Sequence, residues 1–376
     1  MKIALIRSAS IYMNFGSYNV QEIGLAKSLE KNGHQVDFYT REKVDEDKII
    51  RITDSIRVYA MTCISLPGRN GYYPQMFKYL NDNQYDLIQV LEDSQIMTVL
   101  LSVYAKRKNI PFILWQGMYE NYQSFVKKSF QFIFDLLLLP ILRRNTGAVI
   151  GKTPKAIQYI ESKGFRKTFI GGVGLDVDSF NHRTLESDIL DRMNIPKTKK
   201  ILLYIGVLEQ RRNPKFLLEI IEKLDDKFVL VIAGDGPDFL ELNNIVADRG
   251  LNDSVKLLGR VSQEDLIPLY KNSMLFLLPT DYEIYGMVIL ECMYYGLPVI
   301  STPCAGAEYL IDTGEDGFVL EKNDKMWVDV INNISNDSDS QKKISHNFKN
   351  KFDKFTWDSL VNNYLNVYES EMGYNK

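Results

Sequence analysis

The chain has 376 residues, 45% hydrophobic and 25% charged, with 45 Lys and Arg against 48 Asp and Glu. That length corresponds to about two to three domains, and the composition excludes a disordered, collagenous or disulfide-framework protein. A formal charge of −3 gives no global basis for nucleic-acid binding, so no nucleic-acid partner is expected. The three cysteines are far apart and fit no zinc spacing, which indicates a reducing compartment.

The first half begins with the pattern of a parallel α/β sheet. Residues 2–7 (KIALIR) read as a buried strand, residues 20–31 have helical apolar spacing, and residues 34–40 read as the next strand. The apolar run at the start of the chain is too short for a signal peptide or a spanning helix, so a cytoplasmic location is expected. Further strands and helices are predicted by the same patterns over the segments 85–90, 94–108, 110–116, 121–144 and 147–153.

The second half repeats this alternation after a Gly- and Asp-rich stretch, 169–180, which we interpret as a hinge. Residues 332–341 are polar and predict a solvated loop or helix edge, and 355–370 predict a closing amphipathic helix. Between the hinge and the polar run, strands and helices are predicted over 200–208, 214–224, 228–237, 238–249, 255–261, 263–271, 274–280, 285–296 and 297–302. Such alternation predicts two doubly wound α/β domains with a cleft between them, and ligands at the carboxyl ends of the strands.

Residues 281–302 (DYEIYGMVILECMYYGLPVIST) contain the most informative pattern. Glu283 precedes a predicted helix, and Glu291 lies inside it within an apolar run, where an unpaired glutamate is rare. Eight steps of about 100° bring the second carboxylate to within about 80° of the first. The backbone N–H groups of Tyr285, Gly286 and Met287 form a helix start that suits a diphosphate. Two incidental glutamates on an amphipathic helix are the alternative.

Residues 279–302 resemble the donor site of glycosyltransferase family 4, whose members are retaining enzymes with the GT-B fold. Besides the two glutamates, the match includes a Tyr-Gly pair and the sequence Gly-Leu-Pro-Val-Ile. The resemblance extends over nearly all of the C-terminal half, through IAGDGP (232–237), 255–279 and 306–324, and is weaker in the N-terminal half. It implies a GT-B protein with two Rossmann-like domains facing across a cleft. We assign 1–180 to acceptor binding, 181–355 to donor binding, and 356–376 to a closing helix that packs back on the first domain.

The resemblance also implies residue roles. Glu283 is expected to contact the donor sugar, and Glu291 to hold the nucleotide ribose. Gly206 fits the glycine after the first strand of the second domain, and Arg212 stands where a phosphate-binding Lys is common. Val207 replaces the usual Arg, so that contact is missing unless Arg211 compensates for it. A surface arginine pair is the alternative, although a cation at a helix start favours a nearby anion.

Two further positions are assigned in the first half. Gly16 matches a glycine that lets the backbone approach the donor phosphates, although a generic loop glycine would look the same. Gln116 stands near the place of a family His and is expected to bind the acceptor, although an amide cannot shuttle a proton near neutral pH.

The expected reaction uses no cofactor and no metal. The chain has no Asp-x-Asp run after an apolar strand, so positive charge and helix starts are expected to stabilise the leaving diphosphate. The resemblance implies same-face displacement through an oxocarbenium-like state, with catalysis by Glu283 and Arg212. The expected partners are a nucleotide-sugar donor and a glycan or lipid-linked glycan acceptor, in cell-surface polysaccharide or glycolipid biosynthesis.

Residues 125–144 combine a dense apolar segment with basic residues at each end. The apolar part is too short to span a bilayer, so we expect either contact with the inner membrane face or a buried helix kinked at Pro140.

Two other functions remain as alternatives. A catalytically inactive GT-B binding module would keep the fold without activity, and Glu283, Glu291 and Arg212 argue against it. An NAD-dependent oxidoreductase would need Gly-x-Gly-x-x-Gly after the first strand, which this chain lacks.

Overall fold

In the computed structural model the structure is described for residues 1–10, 12–13, 20–67, 70–121, 124–178 and 188–373. The chain divides into two compact units. Unit 1 comprises Met1–Asp176 and Phe355–Lys376, and unit 2 comprises Val177–Lys354.

Unit 1 is built on an eight-stranded sheet in the order β10-β9-β8-β7-β1-β2-β4-β3. Every pairing is parallel except that of the edge strand β3 with β4. A separate hairpin joins β5 and β6. The strands are β1 (Lys2–Arg7), β2 (Gln35–Arg41), β3 (Lys48–Arg51), β4 (Ile56–Met61), β5 (Ile64–Leu66), β6 (Asn70–Tyr72), β7 (Leu87–Leu91), β8 (Phe112–Gln116), β9 (Ala148–Gly151) and β10 (Thr168–Ile170).

Helices pack around this sheet through buried apolar residues, some directly on the strands and some, such as the pair Phe125–Leu137 and Leu139–Asn145, through another helix. The described helices of unit 1 are α1 (Gln21–Lys31), α2 (Met76–Asn83), α3 (Ile96–Lys108), α4 (Phe125–Leu137), α5 (Leu139–Asn145) and α6 (Pro154–Ser162), followed after unit 2 by α15 (Trp357–Met372). No helix in the described ranges is both long and apolar enough to cross a membrane.

Unit 2 has a six-stranded, all-parallel sheet in the order β13-β12-β11-β14-β15-β16. The interior strand β12 (FVLVIA) is buried at all six positions, as a strand covered on both faces must be. The strands are β11 (Lys200–Ile205), β12 (Phe228–Ala233), β13 (Val255–Gly259), β14 (Ser273–Leu278), β15 (Val299–Ser301) and β16 (Phe318–Val319).

The helices of unit 2 follow the predicted alternation, and strand order reverses between β11 and β14. This switch point is where open α/β sheets bind ligands, because the loops after the two neighbouring strands diverge there. The helices are α7 (Ile189–Arg192), α8 (Pro214–Ile221), α9 (Phe239–Asp248), α10 (Gln263–Asn272), α11 (Met287–Tyr295), α12 (Ala305–Leu310), α13 (Asp324–Asn336) and α14 (Ser338–Lys351).

Two stretches differ from the sequence expectation. The helix predicted over 121–144 is two helices, α4 and α5, divided at Leu138, because Pro140 fits only the first turn of a new helix. The polar run 332–341 is the end of α13 and the start of α14 rather than a loop. Asp337 caps α14, accepting hydrogen bonds from the backbone N–H groups of Asp339 and Ser340.

Candidate active site in unit 2

Two loops meet at the switch point of unit 2. One follows β11 and carries Arg211, and the other follows β14 and carries Asp281. The backbone N–H of Asp281 donates to the carbonyl of Arg211 at 2.8 Å. The side chain of Asn213 donates to the carbonyl of Pro279 at 2.9 Å and to Asp281 Oδ1 at 2.7 Å. These bonds hold both loops in one place although they are far apart in sequence.

Arg212 and Glu283 face each other across these loops. Arg212 Nη1 donates to Glu283 Oε2, and the two side chains are 18% and 16% exposed. The other carboxylate oxygen, Glu283 Oε1, accepts the backbone N–H of Gly286 at 3.2 Å. Among the described residues Arg212 Nε has no hydrogen-bond partner although it is buried. The glutamate is therefore held by a cation on one side and a helix start on the other.

Arg211 is more exposed and is held by its own loop. Its Nη1 donates to the carbonyl of Tyr282 at 2.8 Å, and its Nε lies 2.7 Å from Glu209 Oε1. This pairing fixes the guanidinium beside the Arg212–Glu283 pair while leaving nearly half of the side chain in contact with solvent.

The start of α11 is the predicted anion-binding helix terminus. Gly286 is its N-cap, with φ of 79°, Met287 is its first residue, and the preceding Tyr285 is buried. Because the N–H of Gly286 already donates to Glu283, this predicted donor is occupied within unit 2.

A second helix start lies directly against this loop. The N–H of Gly306, in α12, donates to the carbonyl of Glu283 at 3.3 Å. A Cβ on Gly306 would lie 2.1 Å from the carbonyl oxygen of Tyr285, so only glycine permits this approach. The residue before α12 is Cys304, and burial raises the pKa of its thiol to about 11. A neutral thiol is a poor nucleophile, so Cys304 is unsuited to covalent catalysis near pH 7.

Glu291 is buried inside α11, with 4% exposed. Tyr270 donates its hydroxyl to Glu291 Oε2 at 2.5 Å, and its ring stacks on Tyr295 with centroids 5.2 Å apart. A buried carboxylate needs such a partner to offset its desolvation. The sequence favoured a specific role for this glutamate over an incidental one but gave no means of finding Tyr270.

Gly206 lies at the end of β11 in a cavity of about 280 Å³. The cavity is open to the ends of three adjacent strands and combines apolar side chains with one aspartate, Asp235, and one arginine, Arg260. Its lining comprises Ile205, Gly206, Val207, Ala233, Gly234, Asp235, Arg260, Val261 and Leu266. Such a lining is typical of a site for a flat, partly apolar group.

Comparison with known proteins identifies the fold. Residues 186–351 match the family model described as Glycosyl transferases group 1. An uncharacterized glycosyltransferase of Haemophilus influenzae is 26% identical over 83% of this chain and 85% of that protein. The chain spans about half the length of several other curated relatives that it matches.

Solved structures of other proteins share this fold over nearly the whole chain. Sucrose-phosphate synthase from Thermosynechococcus elongatus superposes with a TM-score of 0.77 at 17% identity, covering 100% of both chains. HepE from Anabaena, in complex with UDP-glucose, superposes with a TM-score of 0.71 at 18% identity, covering 98% of this chain and 99% of that one. The chain has the GT-B fold. The region that matches the glycosyltransferase family model lies within unit 2.

In the N-terminal part of this GT-B protein, the two predicted site residues have different outcomes. Gly16 lies outside the described residues. Gln116 ends β8 and is fully buried. Its Nε2 donates to Asp93 Oδ1 and to the carbonyl of Met118, each at 3.1 Å, and its Oε1 accepts the N–H of Asp93 at 3.1 Å. Its amide is used within unit 1, so binding an acceptor through Gln116 would require these bonds to rearrange.

Asp93, the partner of Gln116, belongs to a cluster of mostly buried charged side chains that the sequence did not predict. Lys163 Nζ lies 3.0 Å from Asp93 Oδ2 and 3.2 Å from Asp135 Oδ1. Burial alone would lower the pKa of Lys163, but the adjacent Asp93 raises it overall. Glu92 has φ of 65°, and burial raises its pKa while the nearby charge of Lys152 opposes that rise. The signal that could have found this cluster is the acidic pair directly after the buried strand β7.

The sequence also did not predict a lysine that binds both loops of the candidate site. Lys322 Nζ donates to Asn213 Oδ1 at 3.2 Å and to Asp281 Oδ1 at 3.0 Å. No local pattern marks this lysine, because its partners lie on two loops more than forty residues away in the chain.

Proposed function

We propose that this protein is a retaining glycosyltransferase of family 4 that transfers a sugar from a nucleotide-sugar to a glycan or lipid-linked glycan acceptor. One observation carries the proposal. Arg211, Arg212 and Glu283 meet at the start of α11, at the switch point of the unit that matches the glycosyltransferase family model. This arrangement supports a site for a negatively charged, sugar-bearing diphosphate.

The donor diphosphate would bind to Arg211, Arg212 and the start of α11, where it would replace Glu283 as the partner of the Gly286 N–H. Arg212 already pairs with Glu283, so an arriving diphosphate would compete with the glutamate for the guanidinium. Glu283 would then be free to accept hydrogen bonds from the donor sugar. When the diphosphate replaces Glu283 on Arg212, both residues would act in the chemical step. Arg212 would stabilise the leaving group, and Glu283 would orient the sugar.

The nucleoside would occupy the cavity beside Gly206. Its base would lie between Val207 and Val261, with Arg260 at the rim. The ribose hydroxyls would donate to the carboxylate of Glu291, which already accepts one hydroxyl hydrogen bond from Tyr270. HepE, a protein of the same fold, was solved in complex with UDP-glucose, which supports a nucleotide-sugar as the donor class.

The proposed displacement occurs on the face of the sugar from which the diphosphate leaves. The bond from the anomeric carbon to the diphosphate breaks as the acceptor oxygen approaches, and the acceptor proton passes to the leaving phosphate oxygen. Two guanidinium groups and a helix start provide positive charge for that leaving group. We therefore propose that the reaction needs no metal and no cofactor.

Unit 1 would bind the acceptor, and the acceptor role of Gln116 remains a prediction. The role of Gly16 at the donor phosphates also remains a prediction. The helices α4 and α5 expose apolar and basic side chains, which supports an acceptor carried on a lipid and peripheral contact with the inner membrane face. A cytoplasmic enzyme of cell-surface polysaccharide or glycolipid biosynthesis fits these features.

Calorimetric titration with UDP, GDP and ADP tests the donor site. We expect at least one of these nucleotides to bind the wild type. Glu291→Ala should weaken that binding about tenfold or more, because a hydrogen bond to a charged group contributes about 1.5–3 kcal/mol. Glu283→Gln should leave the affinity within about threefold but slow sugar transfer by about 100-fold, the effect of removing one oriented polar group from a transition state. A chelator should leave the rate unchanged.

Glu241→Gln is the matched control, since Glu241 is an exposed glutamate of the same unit, paired with Lys215. It should change neither binding nor rate. Proton NMR of the product should show the anomeric configuration of the donor. Absence of binding by any nucleoside diphosphate, or unchanged affinity in Glu291→Ala, would contradict the proposed site, and an inverted product would contradict the retaining mechanism.

A further inference from the structure

An exposed apolar stripe runs along α4 and α5 of unit 1. It comprises Phe132, Ile133, Leu136, Leu137 and Ile141, of which Phe132, Leu136 and Leu137 are more than 60% exposed. The opposite face of the same helices is buried through Phe134, Leu139 and Leu142. Because the inner face already supplies the packing, the outer apolar residues contribute nothing to the core of unit 1. The surfaces of soluble proteins seldom carry so continuous an apolar patch without a ligand or partner.

A basic pocket adjoins this stripe. It has a volume of about 730 Å³ and is lined by four cationic side chains and no carboxylate. Pro140 and Arg144 line it on either side of Ile141 in the sequence of α5, so the stripe and the pocket meet on one helix. Its lining comprises Pro140, Arg143, Arg144, Thr146, Gly147, Ala148, Val149, Gly164, Phe165, Arg166 and Lys167.

The charge of this pocket is only partly neutralised. Lys167 pairs with Glu371 of α15. Within the described ranges of the chain, Arg143, Arg144 and Arg166 form no ion pair. The guanidinium of Arg143 lies against Gly164, where a Cβ would approach Nη1 to 2.3 Å. Gly164 has φ of 88° and ends the turn after α6, so the absence of a side chain there makes room for the arginine.

We infer that the basic pocket binds the phosphate headgroup of an anionic membrane lipid while the apolar stripe inserts into the adjoining acyl region. Arg143, Arg144 and Arg166, which form no ion pair with any residue that the structure describes, match a phosphate in charge and geometry. The stripe matches the acyl boundary in polarity, and the two features lie side by side as they do in a lipid molecule. The inference deepens the membrane contact of the proposed function, and it makes anionic lipid, rather than any bilayer, the partner.

Flotation with phosphatidylcholine vesicles, with and without phosphatidylglycerol, tests this inference on the full chain. We expect the wild type to bind the anionic vesicles preferentially. Arg143→Gln with Arg144→Gln should reduce that binding about 25-fold, because each basic residue near an anionic surface contributes about fivefold. Leu136→Asp should reduce it about tenfold or more by removing apolar insertion. Thermal melting should show both variants folded, since all three side chains are exposed.

Two matched controls separate the surface from general charge and hydrophobicity. Arg107→Gln with Lys108→Gln removes two cations from the last turn of α3 in the same unit. Leu240→Asp changes a 74% exposed leucine in unit 2. Both controls should bind vesicles as the wild type does. Equal binding to neutral and anionic vesicles, or equal losses in the controls, would overturn the inference.

Two further measurements identify other occupants and separate this inference from the proposed function. Inorganic phosphate that binds the pocket without any vesicle binding, or concentration-dependent self-association abolished by Leu136→Asp without vesicle binding, would overturn the lipid assignment. UDP titration without vesicles should be unchanged in the Arg143, Arg144 and Leu136 variants. If UDP does not bind but vesicle selectivity persists, the proposed function fails and this inference stands. The reverse pattern leaves the donor site intact and refutes the lipid pocket.

Discussion

The ion pair of Arg212 and Glu283 stabilises unit 2 and leaves a hydrogen-bond donor for a ligand. Each is mostly buried, and each would be left with an uncompensated charge if its partner were removed. The arginine keeps a buried donor unused at Nε, so its hydrogen bonding within unit 2 is incomplete. An incompletely bonded guanidinium is well suited to donate a hydrogen bond to a phosphate oxygen when the nucleotide-sugar binds.

Tyr270 provides a residue-scale prediction at the second glutamate. Tyr270→Phe removes the hydroxyl that donates to the buried Glu291, so we expect the free energy of unfolding to fall by about 1–3 kcal/mol. Addition of UDP should recover part of this loss, because ribose hydroxyls would take the place of the missing donor. Denaturant titration with and without UDP measures both effects.

The control for this prediction is Tyr72→Phe, which removes the hydroxyl of an exposed tyrosine in unit 1. We expect a change within about 0.5 kcal/mol. If Tyr270→Phe is equally neutral, the hydrogen bond to Glu291 does not stabilise unit 2.

The helices α11 and α12 form the element that shapes the candidate site. Their starts lie against one loop, and the loop carries Glu283 between them. The approach depends on Gly306, whose missing side chain allows α12 to contact the carbonyl of Tyr285. The geometry at Glu283 is therefore a property of two helices and a loop, rather than of the glutamate alone.

Gly306→Ala tests this packing. Alanine would stabilise a helix by about 1 kcal/mol relative to glycine. A Cβ 2.1 Å from a backbone oxygen forces α12 or the loop to move, and such overpacking costs about 1–3 kcal/mol. We expect the clash to dominate, with a net loss of stability and weaker nucleotide binding, measured by thermal melting and calorimetry.

Gly250→Ala is the comparison, because Gly250 follows the end of α9 in unit 2 and has no atom within 4 Å of its would-be Cβ. Its φ of 67° should cost some stability without affecting nucleotide binding. A stabilised Gly306→Ala variant with normal nucleotide affinity would show that the contact at Tyr285 is not needed.

On the scale of the whole molecule, the chain completes unit 1 only after it has built unit 2. Residues from Phe355 onward belong to unit 1, and α15 contacts that unit through a buried side. Tyr364 donates to the carbonyl of Gly172 at 2.5 Å, and Tyr368 donates to Gln89 Oε1 at 2.6 Å. Trp357 and Tyr364 pack against Trp115 of β8.

Removal of residues 357–376 should therefore unfold unit 1 selectively. Six apolar side chains of α15 are buried, and each contributes about 1.5–3 kcal/mol, a total comparable with the whole stability of a domain. We expect limited proteolysis to degrade unit 1 while a fragment containing unit 2 survives. Removal of 374–376 alone should leave the digestion pattern unchanged. Equal resistance of both units in the long truncation would show that α15 is dispensable.

Much of the fold could be predicted because its signals are local. The continuous apolar strands, such as 228–233, and the intervening amphipathic helices follow from residue spacing within short windows. The same holds for the glutamate pair, whose spacing around a glycine-started helix is visible without any tertiary contact. The hairpin of β5 and β6 was not predicted, because its strands are short and their pairing depends on packing. The break between α13 and α14 at Asp337 was not predicted either, because it depends on the capping hydrogen bonds of that residue.

The sequence by itself determined that Glu283 borders a helix start and that 125–144 is amphipathic, since both depend on neighbouring residues. Only the tertiary structure decided that Arg212 pairs with Glu283, 71 residues further along the chain, and that Tyr270 binds Glu291. It also decided that Gln116 bonds within unit 1 and that Arg166 lines the same pocket as Arg143. Contacts between distant segments depend on strand order and loop closure, which a local pattern does not contain.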